Sequence, residues 1–286
     1  MKFAIDCPNY GEYVDPRVHA ELAYEAEQSG WDGFFVWDHL NYLGPPWQPA
    51  GDGMSDPWML LAAIAMRTET IRIGPMVTPL PRRRPWKLAR ETVSVDHLSG
   101  GRLTLGVGLG SPADTEYERF GEEGDIKIRA AKLDEGLDVL TGLCTGKTFS
   151  YRGDHFLVDE ARFLPSPVQS PRIPIWVGAT WPNKAPLRRA ARWDGVYPIY
   201  WEGSVNAMSP AILKTIIEYI GEYREGGQAF DAVAGGADMD GDRSKLEDNA
   251  MAYAEAGATW YAAPIGPQVG NIDEAKAWIQ EGPPKA

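Results

Sequence analysis

Thiols and imidazoles are scarce in this sequence: two cysteines, Cys7 and Cys144, and four histidines in 286 residues. Two thiols cannot build a disulfide framework or a four-thiolate metal site. His19, His39, His97 and His155 show no metal-ligand spacing, so no metal is expected. Positive charge is short as well, with 28 Lys and Arg against 40 Asp and Glu, a net charge of −12. That balance argues against nucleic acid or an anionic membrane as partner, since both need a basic footprint. No apolar run approaches the roughly 20 residues of a membrane span. The first strand-like run, Lys2 to Ile5, leaves no room for a signal peptide ahead of it. The expectation is a soluble, cytoplasmic protein whose partner is a small molecule.

What the chain has in quantity is alternation. Apolar runs of strand length fall at Phe3–Asp6, Gly33–Trp37, Ile71–Val77, Leu103–Val107, Ile173–Val177, Val196–Ile199, Phe230–Ala234 and Thr259–Ala263. Helical patterns follow each of them. The first has Asp15 as N-cap, Pro16 at its first position, a stripe of Val18, Leu22 and Ala26, and Gly30 past its end. Asp56-Pro57 repeats that start, Pro85 opens another helix before Gly100-Gly101, and Asn271 with Glu274 spells a near capping box. A weak repeat accompanies the strands: Gly30-Trp31-Asp32-Gly33 precedes one, Arg192-Trp193-Asp194-Gly195 another, and Glu255-Ala256-Gly257-Ala258 a third. Eight strands alternating with helices predict a single α/β domain over 1–286, a (β/α)₈ TIM barrel, for which about 250 residues is typical. A doubly wound open sheet is the alternative, disfavoured because no dinucleotide fingerprint follows the first strand. The connection from Gly108 to Arg172, after the fourth strand, is too long for a simple crossover. It carries a helix near Ile126–Leu143 and a hairpin in "TFSYRGDHFLV" turning at Gly153-Asp154, and is expected to form a lid or substrate region.

Several motifs fall at the strand ends where a barrel places its chemistry. "GWDGFFVWDHL" (Gly30–Leu40) ends an apolar strand in Asp38 and His39. His is the side chain suited to proton exchange near neutral pH, although position alone also allows a surface turn pair. In "GGRLTLGVGLGS" (Gly100–Ser111), Gly106, Gly108 and Gly110 let backbone approach a flat ligand, or simply meet tight packing. "PRRRP" (Pro81–Pro85) sets three arginines at the rim, either a solvated run or an anion site. "IWVGATWPNKAPLRRAARWDG" (Ile175–Gly195) reads as strand, Gly-Ala-Thr turn and helix, a start that favours phosphate. "TGKT" (Thr145–Thr148) lacks the glycine a P-loop requires, and "DMDGD" (Asp238–Asp242) lacks the sixth-position glycine of an EF-hand.

Three of these segments together resemble the bacterial luciferase-like flavin and deazaflavin oxidoreductases. They are "GWDGFFVWDHL", "IRIGPMVTPLPRRRPWKLARETVSVDHLSGGRLTLGVGLGS" and "PRIPIWVGATWPNKAPLRRAARWDGVYP", and the likeness runs from Phe3 to about Tyr261. The resemblance implies a barrel that holds FMN or coenzyme F420 at its C-terminal mouth. It makes His39 the active-site acid or base and Asp38 a cofactor contact, with Asp-His in this place tending to mark deazaflavin users. It puts a non-prolyl cis peptide at Met76-Val77, against the ring beside Thr78. Gly108, Gly110 and Ser111 fall where the glycine-spaced strand meets the ring, Gly178, Ala179 and Thr180 where the phosphate binds, and Lys87 at a basic phosphate position. Ser111 replaces the catalytic glutamate of the family's F420-dependent sugar-phosphate dehydrogenases, which argues against that chemistry. Luciferase's reactive cysteine has no counterpart, and Cys7 reads as a packing residue.

The leading expectation is an F420-dependent oxidoreductase passing a hydride between deazaflavin and a small organic substrate. Arg82, Arg83 and Arg84 would meet the cofactor's acidic tail. Tyr10, Trp37, Tyr42, Trp47, Trp181, Tyr200 and Trp201 favour an apolar or aromatic substrate. The alternatives are an FMN-dependent monooxygenase using O₂, a non-catalytic binding barrel, and a lyase or aldolase barrel. The last would want a Schiff-base lysine or metal carboxylates, and neither is evident at the strand ends. The resemblance also implies a homodimer.

Overall fold

The computed structural model describes residues 1–42, 53–203, 205–235, 243–266 and 269–284. Trp47 and the Asp238–Asp242 acidic run therefore lie outside the described residues. The eight expected strands are all present: β1 (Lys2–Cys7), β2 (Gly33–Val36), β3 (Arg72–Pro75), β4 (Leu105–Gly108), β5 (Ile175–Thr180), β6 (Gly195–Ile199), β7 (Asp231–Gly235) and β8 (Trp260–Pro264). They pair in parallel in the order β3-β2-β1-β8-β7-β6-β5-β4, with the two-residue segment Thr78–Pro79 beside β4. Between β3 and β4 a parallel bridge joins Ile73 to Leu103, and the Thr104 amide donates to the Ile73 carbonyl at 2.8 Å. The sheet is thereby all but closed, as a (β/α)₈ barrel requires and an open doubly wound sheet does not. Glycine permits the closure, since a Cβ on Gly74 would lie 1.9 Å from the Thr104 carbonyl oxygen.

Around the barrel run α1 (Pro16–Gln28), α2 (Pro57–Arg67), α3 (Pro85–Leu98), α4 (Ala113–Glu116), α5 (Ile126–Cys144), α6 (Lys184–Ala190), α7 (Pro210–Gly221), α8 (Arg243–Glu255) and α9 (Ile272–Gln280). Their starts follow the sequence signals. The Asp15 side chain accepts from the Arg17 amide, Asp56 from Trp58 and Met59, and Asn271 with Glu274 forms a complete capping box. The buried stripe of α1 is His19, Leu22, Ala23 and Ala26, so His19 takes the place expected of Val18. It can do so because its Nε2 reaches the Pro8 carbonyl, and burial lowers its pKa to about 4, keeping the ring neutral. The Trp-Asp-Gly repeat also has a structural use: Asp32 accepts from the Phe3 amide and Asp194 from the Ile175 amide, each at 2.8 Å. Each aspartate thus caps the start of a neighbouring strand.

Side-chain alternation divides the core in two. Phe34 and Val36 face the helices, whereas Ala4, Phe35, Met76, Trp176, Val233, Trp260 and Ala262 fill the barrel interior. The 108–172 connection behaves differently from expectation. Its hairpin, Thr148–Arg152 with Leu157–Arg162, is present. The hairpin turn lies against α5, where Glu135 accepts the Asp154 and His155 amides at 2.9 and 3.0 Å. The tail is held by Asp96 and His97 at the C-terminal end of α3, remote from the strand C-termini. What remains at the mouth is 109–125. Among the described residues no helix is long and apolar enough to cross a membrane.

Candidate active site

Strand β2 leaves the core at Val36, and the next three residues, Trp37, Asp38 and His39, open onto the mouth. Asp38 is nonetheless buried, its side chain 1% exposed. Burying a carboxylate is tolerable only with strong donors. Arg82 Nη2 donates to Oδ1 at 2.8 Å, Arg83 Nη2 and Nε to Oδ2 at 2.7 and 3.2 Å, and the Thr78 hydroxyl also donates to Oδ2. These two arginines come from the "PRRRP" run, just before α3. They are engaged in ion pairs inside the rim rather than free to meet a cofactor tail, which corrects the reading of that run as an anion site. The physical reason is the nearby buried acid, which outcompetes solvent for the guanidinium forks. Arg84 alone of the three is exposed.

Arg82 also donates to Glu116, the last residue of the short helix α4. Glu116 is 1% exposed at its side chain. Its Oε1 faces His39 Nδ1 at 3.2 Å and the Asn41 amide at 3.2 Å, and Oε2 accepts the Leu40 amide at 3.0 Å. Burial by itself would raise its pKa, but the bonds and charges of His39, the Leu40 amide and Arg82 outweigh it and hold the carboxyl at about 2. Glu116 is therefore an anion throughout the neutral range. Its contact makes Nδ1 of His39 the protonated nitrogen of the neutral ring, a tautomer assigned from the hydrogen-bond pattern. Nε2 carries no partner among the described residues, and the His39 side chain is 22% exposed. Tyr42 stacks on the ring with centroids 4.3 Å apart, and Asn9 Nδ2 donates to the His39 carbonyl at 2.8 Å. A cavity of about 310 Å³ lies alongside, lined by Asp38, His39, Leu40, Ser55, Arg82 and Arg83.

The neighbouring wall is built from backbone. The Met76–Val77 peptide bond is cis. Val77 sits over two glycines: a Cβ on Gly108 would lie 2.7 Å from Val77 Cγ2, and one on Gly178 3.2 Å from it. Because Thr78 bonds Asp38, this wall and the charged cluster form one unit. Gly108→Ala is expected to push Val77 aside and destabilise the fold by about 1–2 kcal/mol. Urea unfolding read by tryptophan fluorescence checks this, and an unchanged midpoint would contradict the contact.

The other expected site residues are less concentrated. Gly110 adopts φ +76° at the exit from β4, and Ser111 is exposed just beyond it. Gly178, Ala179 and Thr180 are the last residues of β5, paired in register with Tyr197, Pro198 and Ile199. They are strand rather than turn, because pairing with β6 continues to its end; the turn before α6 begins only at Trp181. Lys87, 69% exposed on α3, pairs with Glu91 at 2.7 Å. Sequence reasoning missed Glu116, Asn9 and the inward role of Arg82 and Arg83. For Glu116 no local signal exists, since "ADTEYERFGEEGD" is acidic throughout. Among the described residues no cluster of His, Cys, Asp or Glu could hold a metal.

A family model described as luciferase-like monooxygenase matches residues 1–258 of the chain. Among curated proteins, the chain is similar to an F420-dependent glucose-6-phosphate dehydrogenase of Nakamurella multipartita. The two are 32% identical over 184 residues, covering 63% of this chain and 51% of that protein. The chain thus spans about half the length of such relatives. Among solved structures it is similar to an F420-dependent secondary alcohol dehydrogenase in complex with an F420-acetone adduct. That likeness has a TM-score of 0.77 at 17% identity, over 98% of this chain and 97% of the other. The oxygenating constituent of 3,6-diketocamphane monooxygenase from Pseudomonas putida, in complex with FMN, matches with a TM-score of 0.65 at 21% identity, over 82% and 66% of the two chains. At these identities the likenesses establish the fold.

Proposed function

Because this chain belongs to the luciferase-like monooxygenase family, we propose that it is an oxidoreductase using coenzyme F420 on a small organic substrate of apolar or aromatic character. The observation that carries the reading is the union of His39, Glu116, Arg82 and Asp38 with the glycine-backed wall of Met76, Val77 and Thr78. Gly108 and Gly178 make the room that lets Val77 pack behind the cis Met76–Val77 bond, and a planar ring would lie against that wall. When bound, the deazaflavin supplies two-electron hydride chemistry. The chain's own residues do the rest. Asp38, pinned by Arg82 and Arg83, contacts the ring, and His39 exchanges a proton through Nε2 while Glu116 holds its Nδ1. Residues 109–125 cover the substrate, and the phosphate end lies toward Thr180, with Lys87 and Arg84 as exposed cations of α3 and its cap.

Support for F420 over flavin comes from the Asp-His pair and from the F420-dependent relatives. An FMN-dependent monooxygenase is the second reading, favoured by the FMN-bound neighbour. Titrating the purified protein with each cofactor and following fluorescence separates them. Binding of F420 at least about tenfold tighter than FMN is expected, a difference of about 1.4 kcal/mol. Tight FMN binding with none for F420 would overturn the first reading.

A further inference from the structure

Asp6, the penultimate residue of β1, takes part in none of the ion pairs at the mouth among the described residues. Ala4, two residues earlier in β1, belongs to the barrel-interior cluster with Phe35, Trp176 and Trp260. Strand alternation sends Asp6 into the same interior, one layer nearer the mouth. Asp6 is 3% exposed, and its register partners are Phe35 and Pro264, neither of which can neutralise a carboxylate. Trp37 Nε1 donates to Oδ1 at 2.9 Å. Oδ2 receives no hydrogen bond among the described residues. The two cations nearest the rim, Arg82 and Arg83, are held by Asp38 and Glu116. The titratable groups near Asp6 are Cys7, its chain neighbour turned to the helix side beside His19, Tyr10 beyond the end of the strand, and Tyr197 from β6. Burial pushes all three upward, so none carries charge at neutral pH.

A carboxyl in this place has lost its hydration and gained no cation. Burial therefore outweighs the single Trp37 bond and pushes its pKa up to about 7. Purely as a partner for an indole N–H, a carbonyl or an amide would serve without that penalty. Trp37 moreover immediately precedes Asp38 and His39, which ties the uppermost layer of the barrel interior to its rim.

We propose that Asp6 is a further binding residue of this site: its protonated carboxyl donates a hydrogen bond from Oδ2 to a carbonyl or ring-nitrogen acceptor of the ligand in the barrel mouth. The proposal rests on the reading of that mouth as the cofactor site. Ionisation of Asp6 replaces the donor with a buried anion facing the same acceptor, so binding weakens as pH rises through neutrality. An amide at the same position donates at every pH.

The test compares wild type with Asp6→Asn, using F420 and FMN as probes. The readout is the ratio of the two proteins' affinities for each probe, which cancels ionisation of the probe itself. From about pH 6 to about pH 8 that ratio is expected to move about tenfold against wild type. Infrared difference spectra of the ligand-free proteins supply a second readout: a protonated-carboxyl band that titrates near neutrality in wild type and is missing from Asp6→Asn. Asp6→Leu, which removes the donor, is expected to bind weakly at both pH values; should it fail to fold, the isosteric Asn variant carries the comparison. A constant affinity ratio overturns the proposal, and so does the absence of the infrared titration. If neither probe binds wild type, the cofactor reading falls and the proposed ligand bond with it, while the infrared titration still decides the protonation of Asp6.

Discussion

Glu116→Ala is expected to destabilise the protein by about 3 kcal/mol at neutral pH and to cripple any proton transfer by His39. The magnitude follows from the carboxyl itself. Its pKa falls from an ordinary 4.5 to about 2 in the native state. At about 1.4 kcal/mol per pH unit, the native contacts of the anion are worth about 3 kcal/mol. The sign is that of a depressed carboxyl: the stabilisation is complete above 4.5 and disappears as pH falls through 2. Wild type and variant should therefore differ most at neutral pH and converge in acid. Removal leaves the Leu40 and Asn41 amides without their acceptor, and Arg82 with Asp38 alone. Because those amides belong to the segment carrying His39, the loss also frees the ring. Urea unfolding at neutral pH and near pH 3 checks the effect; equal midpoints for the two proteins at neutral pH would contradict it.

That residue also marks the boundary of what the sequence could reveal. The barrel was legible because its signals are local and repeated. Asp-Pro at 15–16 and 56–57, Asn271 with Glu274, and the Trp-Asp-Gly turns each act within a few residues of themselves, and each behaves in the structure as its chemistry demands. The position of Asp38 and His39 at a strand end was legible for the same reason. What surrounds them was not. Arg82 and Arg83 lie 44 and 45 residues from Asp38, and Glu116 lies 77 from His39. Nothing in a run of three arginines or a stretch of acids says which member is buried against which. Asp6 was hidden differently, as the polar end of an apolar strand whose inward direction depends on register. The hairpin was recognised correctly, but its side of the barrel was set by Glu135, Asp96 and His97, contacts made across the fold. Likewise β5 outran its apolar run because β6 pairs with it through Ile199, a long-range bond that outweighs local turn chemistry.

Turnover should respond to His39→Ala in a different way from Glu116→Ala. The ring contributes Nε2, unpartnered among the described residues, and one of the several bonds that hold the Glu116 carboxylate. Asp38 keeps Arg82, Arg83 and Thr78, and Glu116 keeps Arg82 and two backbone amides, whether or not the imidazole is there. Stability should accordingly fall by about 1–2 kcal/mol, less than for Glu116→Ala, and F420 affinity by no more than a few fold. The rate on any substrate that wild type reduces or oxidises should fall by about 10²–10⁴-fold, the usual contribution of one positioned acid or base. The loss should appear in kcat, because proton transfer belongs to the transition state and not to ground-state binding. A variant that kept the wild-type kcat while binding cofactor normally would remove His39 from the chemistry. It would leave the buried array of Asp38, Arg82, Arg83 and Glu116 as a binding device whose charges position the ligand rather than move its protons.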